Sequence, residues 1–321
     1  VLENRMRSTE NRYAVGTGSH VSGGLRALVL YGMFAMALVF TQTNTASAQL
    51  PASHADYVVA EPVLDMFATP SADSDVSSQA LYGTAVARLE QKGEWTQIRT
   101  ADDYTGWVRS SGLYALTAGP YPAPGKRVKV AALSLNAYRE PDVTKHAPLL
   151  RLPWEAILEA VPDAAGNTER WLQVKLVDGR TAWVQRGDIT TATDLLSIDQ
   201  MLALSHRFLG ITYTWGGVSS FGFDCSGFTQ MLIRQRGIEM PRDADVQAKW
   251  SGVTAVERKD LKPGDLLFFG SKPDKITHTG MYLGNGEFIH DTTHGRPGVQ
   301  VSKLADEPWN HLFVAARRVK E

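Results

Sequence analysis

Hydrophobic residues along the chain follow two rhythms. From about residue 55 to residue 191 they alternate with polar residues over short runs broken by glycine and proline, the period-two pattern of half-buried strands. Gln97-Ile98-Arg99 and Gln173-Val174-Lys175 alternate this way, Asp102-Asp103 and Asp178-Gly179 supply turns, and Gly106-Trp107-Val108 and Ala182-Trp183-Val184 resume the strand. From residue 194 the rhythm changes. Leu195, Leu196, Ile198, Leu202, Leu204 and Phe208 fit one buried face of a helix over Asp194 to Leu209, ended by Gly210. A second helix is expected from Cys225 to about Arg236, with Phe228, Met231 and Leu232 on one side and Gly237 as its stop. Leu266 to Phe269 is wholly apolar and suits a central strand, while His278 to Leu283 and Glu287 to His290 read as two arms of a hairpin.

The first half of this pattern is a repeat. WTQIRTADDYTGWV, Trp95 to Val108, aligns without gaps on WLQVKLVDGRTAWV, Trp171 to Val184, and further upstream LDMFATP at Leu64 matches LNAYREP at Leu135. Two modules follow, about residues 55–117 and 126–191, each with about five short strands and the shape of a small, partly open barrel. The prolines at 120, 122 and 124 form a stiff linker between them. The paired tryptophans are core filler on this reading; the alternative is that Tyr104, Trp107 or Tyr114 lines a ligand cleft.

A chain of 321 residues has room for two or three cores, and 43% hydrophobic with 21% charged residues is an ordinary globular balance. The net charge of −1 gives no support for a nucleic-acid partner. Residues 1–48 read as a signal peptide: Arg5, Arg7, Arg12 and Arg26 lead, Ala27 to Phe40 is free of charge, and Ala46-Ser47-Ala48 offers a cleavage site. That apolar run is short for a membrane span, which needs roughly 20 residues. Cleavage after Ala48, export and no remaining span are therefore expected.

Candidate chemistry centres on the single cysteine, Cys225. It cannot form an intramolecular disulfide, and a lone cysteine is otherwise a small buried hydrophobe. Here the stretch YTWGGVSSFGFDCSG, Tyr213 to Gly227, delivers it to the start of a helix, where unpaired N–H groups and the dipole favour a thiolate. His278 and His290 supply imidazoles on the predicted hairpin. A two-residue Asn285-Gly286 turn would pair Met281 with His290 and put the histidines on opposite faces. A three-residue loop would pair Gly280 with His290 and bring them together, so a three-residue loop with Gly286 at positive φ is expected. His290 and His294 are separated by DTT, a spacing that binds zinc only on a helix; the surrounding threonines, Gly295 and Pro297 indicate a loop, so no metal is expected. His206 reads as a helix-end residue, and His311 as packing or surface.

The motifs DCSGF, YTWGG, KPGDLLFF and HTGMYLGNGEFIH resemble the NlpC/p60 cysteine peptidases over roughly Asp194 to the end, and the two upstream modules resemble bacterial SH3-like domains. The fold implied is two small all-β SH3-like barrels followed by an α+β papain-like domain. The resemblance implies a triad of Cys225 as nucleophile, His278 as general base and acid, and His290 as orienter, with Tyr213 either supporting the oxyanion or packing the core. It implies peptidoglycan stem peptides as substrate, cut between γ-D-glutamate and a diamino acid with preference for a free N-terminal L-alanine, as in γ-D-glutamyl-L-diamino acid endopeptidases. It also implies a wall-associated monomer, periplasmic or extracellular, with no cofactor.

In that scheme Asp224 and Ser226 bind the substrate ammonium, although Asp224 is equally suited to cap the helix. Arg242 and Asp243 pair or line the cleft. Gln247 stands where relatives often carry glutamine, and Ala244 replaces a common small hydroxyl residue. Competing readings are a papain-like amidase or acyltransferase, and a wall-binding protein with an idle site.

Overall fold

The computed structural model describes residues 55–320; the expected leader, 1–48, lies outside them. The first β region is a seven-stranded sheet in the order Val76–Leu81, Val63–Phe67, Thr105–Arg109, Trp95–Arg99, Ala85–Lys92, Tyr57–Val59 and Leu113–Ala115. Its core gathers Val59, Leu64, Met66, Ile98 and Val108, the inward residues of alternating strands. A second β region has five strands, Thr181–Gln185, Trp171–Lys175, Ile157–Ala160, Arg127–Val130 and Ile189–Thr190, beside a two-stranded ribbon of Leu150–Pro153 with Ser134–Ala137.

The aligned hairpins have one register. Trp95 pairs with Arg109 and Arg99 with Thr105; Trp171 pairs with Gln185 and Lys175 with Thr181. At equivalent turn positions Asp103 has φ 61° and Gly179 φ 85°, and a single 3-10 turn follows each return strand. All four tryptophans are buried. The β regions also interlock, because the Tyr82 hydroxyl of the first accepts the Val177 N–H of the second.

The remaining chain packs three longer helices and the single helical turn Trp309–Leu312 on a six-stranded antiparallel sheet. Helix α1 is Ile198–Ser205, shorter than the sequence suggested: Ser197 and Gln200 form a reciprocal capping box, and the chain tightens into a 3-10 turn at His206–Phe208. His206 is exposed and its Nδ1 lies 2.8 Å from the Leu202 carbonyl at the helix end. Helix α2 is Cys225–Arg234 and α3 is Ala244–Lys249. The strand order is Val253–Val256, Phe313–Val319, Leu266–Lys272, Lys275–Gly284, Glu287–Thr292 and Gly298–Lys303. Leu266, Phe268, Met281, Ile289 and Val299 turn towards Phe228 and Met231 of α2, while Leu267, Phe269 and Phe288 pack on Trp309 across the sheet.

The hairpin corrects one expectation in an instructive way. Its turn is the two-residue Asn285-Gly286, with φ 52° and 80°, and Gly284 pairs with Glu287. A bulge then absorbs Leu283, so that Tyr282 pairs with Phe288 and Met281 with Ile289. His290 consequently falls opposite Gly280, the arrangement the chemistry needs, through a bulge rather than through a longer loop.

Candidate active site

Cys225 opens α2. Its N-cap, Asp224, accepts the Gly227 N–H at 2.7 Å, and the approach loop must come close: a Cβ on Gly227 would stand 2.2 Å from the Gly217 carbonyl oxygen. The thiol is 7% exposed. It lies against the backbone N–H of Thr279, so α2 delivers its head to the strand segment that carries His278. Burial and the neighbouring Asp224 push the thiol up to about 12, and the N–H groups of Thr279 and Ser226 pull the other way.

The imidazoles form a chain. Nε2 of His278 lies 2.7 Å from Nδ1 of His290, whose Nε2 lies 3.0 Å from the Ser302 hydroxyl. Trp309 stacks on the His278 ring at 5.1 Å and meets the His290 ring edge-on at 4.6 Å. Burial holds His278 down to about 3, and His290 well below the usual histidine range. Both rings are therefore neutral at neutral pH, and two tautomer sets satisfy the chain, one running from Ser302 to His278 and one the other way; in the second, His278 donates from Nε2 to His290, and His290 donates from Nε2 to Ser302. That set leaves Nδ1 of His278 as an acceptor, the state a general base requires.

Three residues expected at the ligand are used up by one another. Arg242 is 2% exposed, and its donors go to Ser78, Asp224, Ser226 and the Gly217 carbonyl, the strongest being Nη2 to Oδ2 of Asp224 at 2.6 Å. All five guanidinium N–H groups are engaged. Asp224 also accepts from Gly216 N, Gly227 N and Ser226 Oγ. Asp224, Ser226 and Arg242, expected at the substrate, thus form a buried ion-pair network that caps α2 and pins the first β region through Ser78. Gln247, fully buried, ties Pro241 and Arg242 to the Ser226 carbonyl.

Asp243, next along, keeps a partly exposed carboxylate and makes no cap bond to α3. The Tyr104 hydroxyl of the first β region faces it at 3.5 Å, and Gln230 of α2 donates to Asp102 at 2.8 Å. Among Tyr104, Trp107 and Tyr114, Tyr104 is the one that reaches the helical region. Tyr104, Asp243, Asp102, Glu239 and Trp250 border a cavity of about 330 Å³, which Cys225 does not line. Tyr213 is partly buried beside Cys225, Asp224 and Asp291; the loss of solvent, and after it their charges, push its phenol upward. His294 makes a ring contact with Trp309 rather than with His290. Among the described residues, no three His, Cys, Asp or Glu side chains gather as metal ligands, and no helix is long and apolar enough to cross a membrane.

Sequence reasoning missed Ser302, Trp309 and Ser78. No motif marks Trp309, which comes late in the chain and meets the histidines only through folding. Ser302 could have been found from strand alternation once its register was known.

Comparison with known proteins fits this geometry. The profile of the NlpC/P60 family matches residues 210–318, and that of the bacterial dipeptidyl-peptidase Sh3 domain matches residues 66–113. A γ-D-glutamyl-L-lysine dipeptidyl-peptidase of Bacillus cereus is 30% identical over 258 residues, spanning 76% of this chain and 75% of the relative. The chain belongs to the NlpC/P60 family. It is a peptidase with an SH3-like domain ahead of the NlpC/P60 domain. The enzyme of the same printed name from Bacillus subtilis is 27% identical, over 77% of this chain and 82% of that one. A murein DD-endopeptidase of Escherichia coli is 37% identical over 114 residues, which span 35% of this chain and 42% of that one. The crystal structure of an NlpC/P60 family protein from Bacillus cereus superposes with a TM-score of 0.69 at 23% identity, covering 83% of this chain and all of that one, a likeness of fold.

Proposed function

We propose that this peptidase hydrolyses the bond between γ-D-glutamate and the following diamino acid in peptidoglycan stem peptides, and that it favours fragments with a free N-terminal L-alanine. The relatives named as γ-D-glutamyl-L-lysine dipeptidyl-peptidases support the bond. The free-amine preference rests on one observation, the Tyr104–Asp243 contact. A residue from the first β region closes over a carboxylate just beyond the nucleophile's ion-pair network, and that carboxylate is available to an ammonium where Asp224 is not. Burial raises Asp243, which disfavours its charged form until a cation arrives.

In this reading the Cys225 thiol attacks the γ-carbonyl as its proton passes to Nδ1 of His278. A neutral thiol and imidazole at rest make this general-base attack rather than reaction of a standing ion pair. His290 fixes the tautomer and ring orientation of His278, as a triad's third member does, and Ser302 fixes His290. The Cys225 N–H and the Tyr213 hydroxyl face the developing oxyanion. His278 then protonates the leaving amine, and water releases the acyl group by the same base. The second β region is a second SH3-like copy, the helix head against the His278 strand is papain-like, and export to the wall compartment matches the substrate.

The test is cleavage of L-Ala-γ-D-Glu-L-Lys and its diaminopimelate analogue, each with a free and an N-acetylated amine, followed by mass spectrometry. Expected is cleavage after γ-D-Glu at least 100-fold faster with the free amine, and loss of most of that ratio in Asp243→Asn. Equal cleavage of acetylated peptide, or of intact cross-linked wall at the same rate, would overturn the preference.

A further inference from the structure

Asp291 follows His290 yet takes no part in the chemistry above. Strand alternation turns it away from the histidines and towards the α2 side, beside Ile289 and across from Val299. It is 0% exposed, and neither carboxyl oxygen makes a well-formed hydrogen bond, the one donor beside it being the backbone N–H of the adjacent Thr292. The hydroxyl of Thr279 is likewise fully buried and unpartnered, on the neighbouring strand at the residue whose N–H touches the Cys225 sulfur. Two buried polar side chains on neighbouring strands, each without a well-formed hydrogen bond, are uncommon, because buried polar groups are nearly always paired. An ionised carboxylate so short of donors is costlier still.

The charged and titratable groups that face Asp291 are few. Helix α2 presents Cys225 and Asp224, the loop before it Tyr213, and Arg242 lies behind Asp224 with its donors already committed. His290, its chain neighbour, points through the other face of the sheet towards Trp309. No cation in this set is free to balance a charge on Asp291. Burial and the Asp224 charge hold it up to about 8. Tyr213 is the shared neighbour: Cys225, Asp224 and Asp291 all act on its phenol, whose hydroxyl makes no hydrogen bond among the described residues.

We propose that Asp291 is a positioning residue for the reaction proposed above: as the neutral acid it leaves the Tyr213 hydroxyl directed at the sulfur and the oxyanion, and once ionised it draws that hydroxyl away. A carboxylate is a much stronger acceptor than its acid. Its charge also opposes thiolate formation at Cys225, so both effects slow the site at alkaline pH.

The inference rests on the peptidase reading, and its test separates the two. The first readout is the pH profile of kcat/KM on the free-amine tripeptide for wild type, Asp291→Asn and Asp291→Ala, each scaled to its own maximum. Wild type should fall through about pH 8 and both variants at least one pH unit higher. The second needs no peptide: iodoacetamide labelling of Cys225. The ratio of variant to wild-type rates should be within twofold at pH 6.5 and at least threefold at pH 9.5, and should stay near one when Tyr213→Phe is the common background. A ratio that does not change with pH overturns the role of Asp291 whether or not peptide is cut. A rising ratio with no peptide cleavage overturns the peptidase reading alone. Asp291→Ala, smaller and apolar, serves if Asp291→Asn does not fold.

Discussion

The indole of Trp309 stacks on the imidazole of His278, with ring centroids 5.1 Å apart and planes 30° from parallel. Trp309 is 6% exposed and also packs on Phe269 and Phe288, so the core on that face of the sheet sets the orientation of the His278 ring, the proposed base. The same stack takes solvent from the ring and favours its neutral form. Replacing Trp309 by alanine should lower kcat/KM by roughly 10- to 100-fold through misplacement of His278. It should also move the acid limb of the profile from about pH 3 towards the ordinary histidine value of 6.5. An acid limb unchanged in the variant would show that Trp309 does not set the protonation of His278.

Ser302 acts one step further out, through His290. A single neutral hydrogen bond contributes about 0.5–1.5 kcal/mol, so Ser302→Ala should cost roughly 2- to 10-fold in kcat. Its pH profile and KM should match wild type. His290→Ala, which removes the proposed orienter itself, should cost about 10²-fold or more, within the range for general acid–base catalysis. A Ser302→Ala loss as large as that of His290→Ala would place Ser302 in the chemistry rather than behind it.

Arg242 and Asp224 are a buried pair with 1% and 12% side-chain exposure. Removing one member of such a pair strands the other charge, at a cost of about 3–5 kcal/mol. Arg242→Ala should therefore lower the denaturant midpoint markedly and loosen the first β region, whose Ser78 bond is lost with it. Asp224→Asn with wild-type Arg242 should destabilise similarly. Limited proteolysis between residues 117 and 126 would report the loosening; unchanged cleavage there would separate the ion pair from domain docking.

Stability should depend on pH from both sides. His278 and His290 have folded values below their unfolded ones, so the unfolded chain binds more protons and stability is lost as pH falls from about 6.5 towards 3. Asp291 is the reverse. Its folded value is raised from 3.8 to about 8, so its favourable contribution is full below pH 3.8 and is lost as pH rises to about 8. A sealed carboxyl held that far from its ordinary value costs on the order of 5 kcal/mol when ionised. Asp291→Asn should thus raise the melting temperature at pH 8.5, with an advantage that shrinks as pH falls towards 4. An advantage constant from pH 4 to 8.5 would mean that Asp291 is not the group titrating.

Sequence by itself determined much of this protein, because the information was local. Period-two and helical patterns marked strands and helices, the gap-free alignment of Trp95–Val108 on Trp171–Val184 anticipated two hairpins of one register, and the DCSG motif placed Cys225 at a helix head. The two histidines were legible as partners, but the means of their meeting was not: a bulge at Leu283 shifts register as an added loop residue does, and adjacent glycines suit either. Tertiary structure alone decided which acid serves which purpose. Asp224, Asp243 and Asp291 are the same residue in sequence, and only folding paired the first with Arg242, set the second opposite Tyr104 and sealed the third away from any cation. A carboxyl's state depends on solvent and on charges brought near it from distant parts of the chain, which no local pattern encodes.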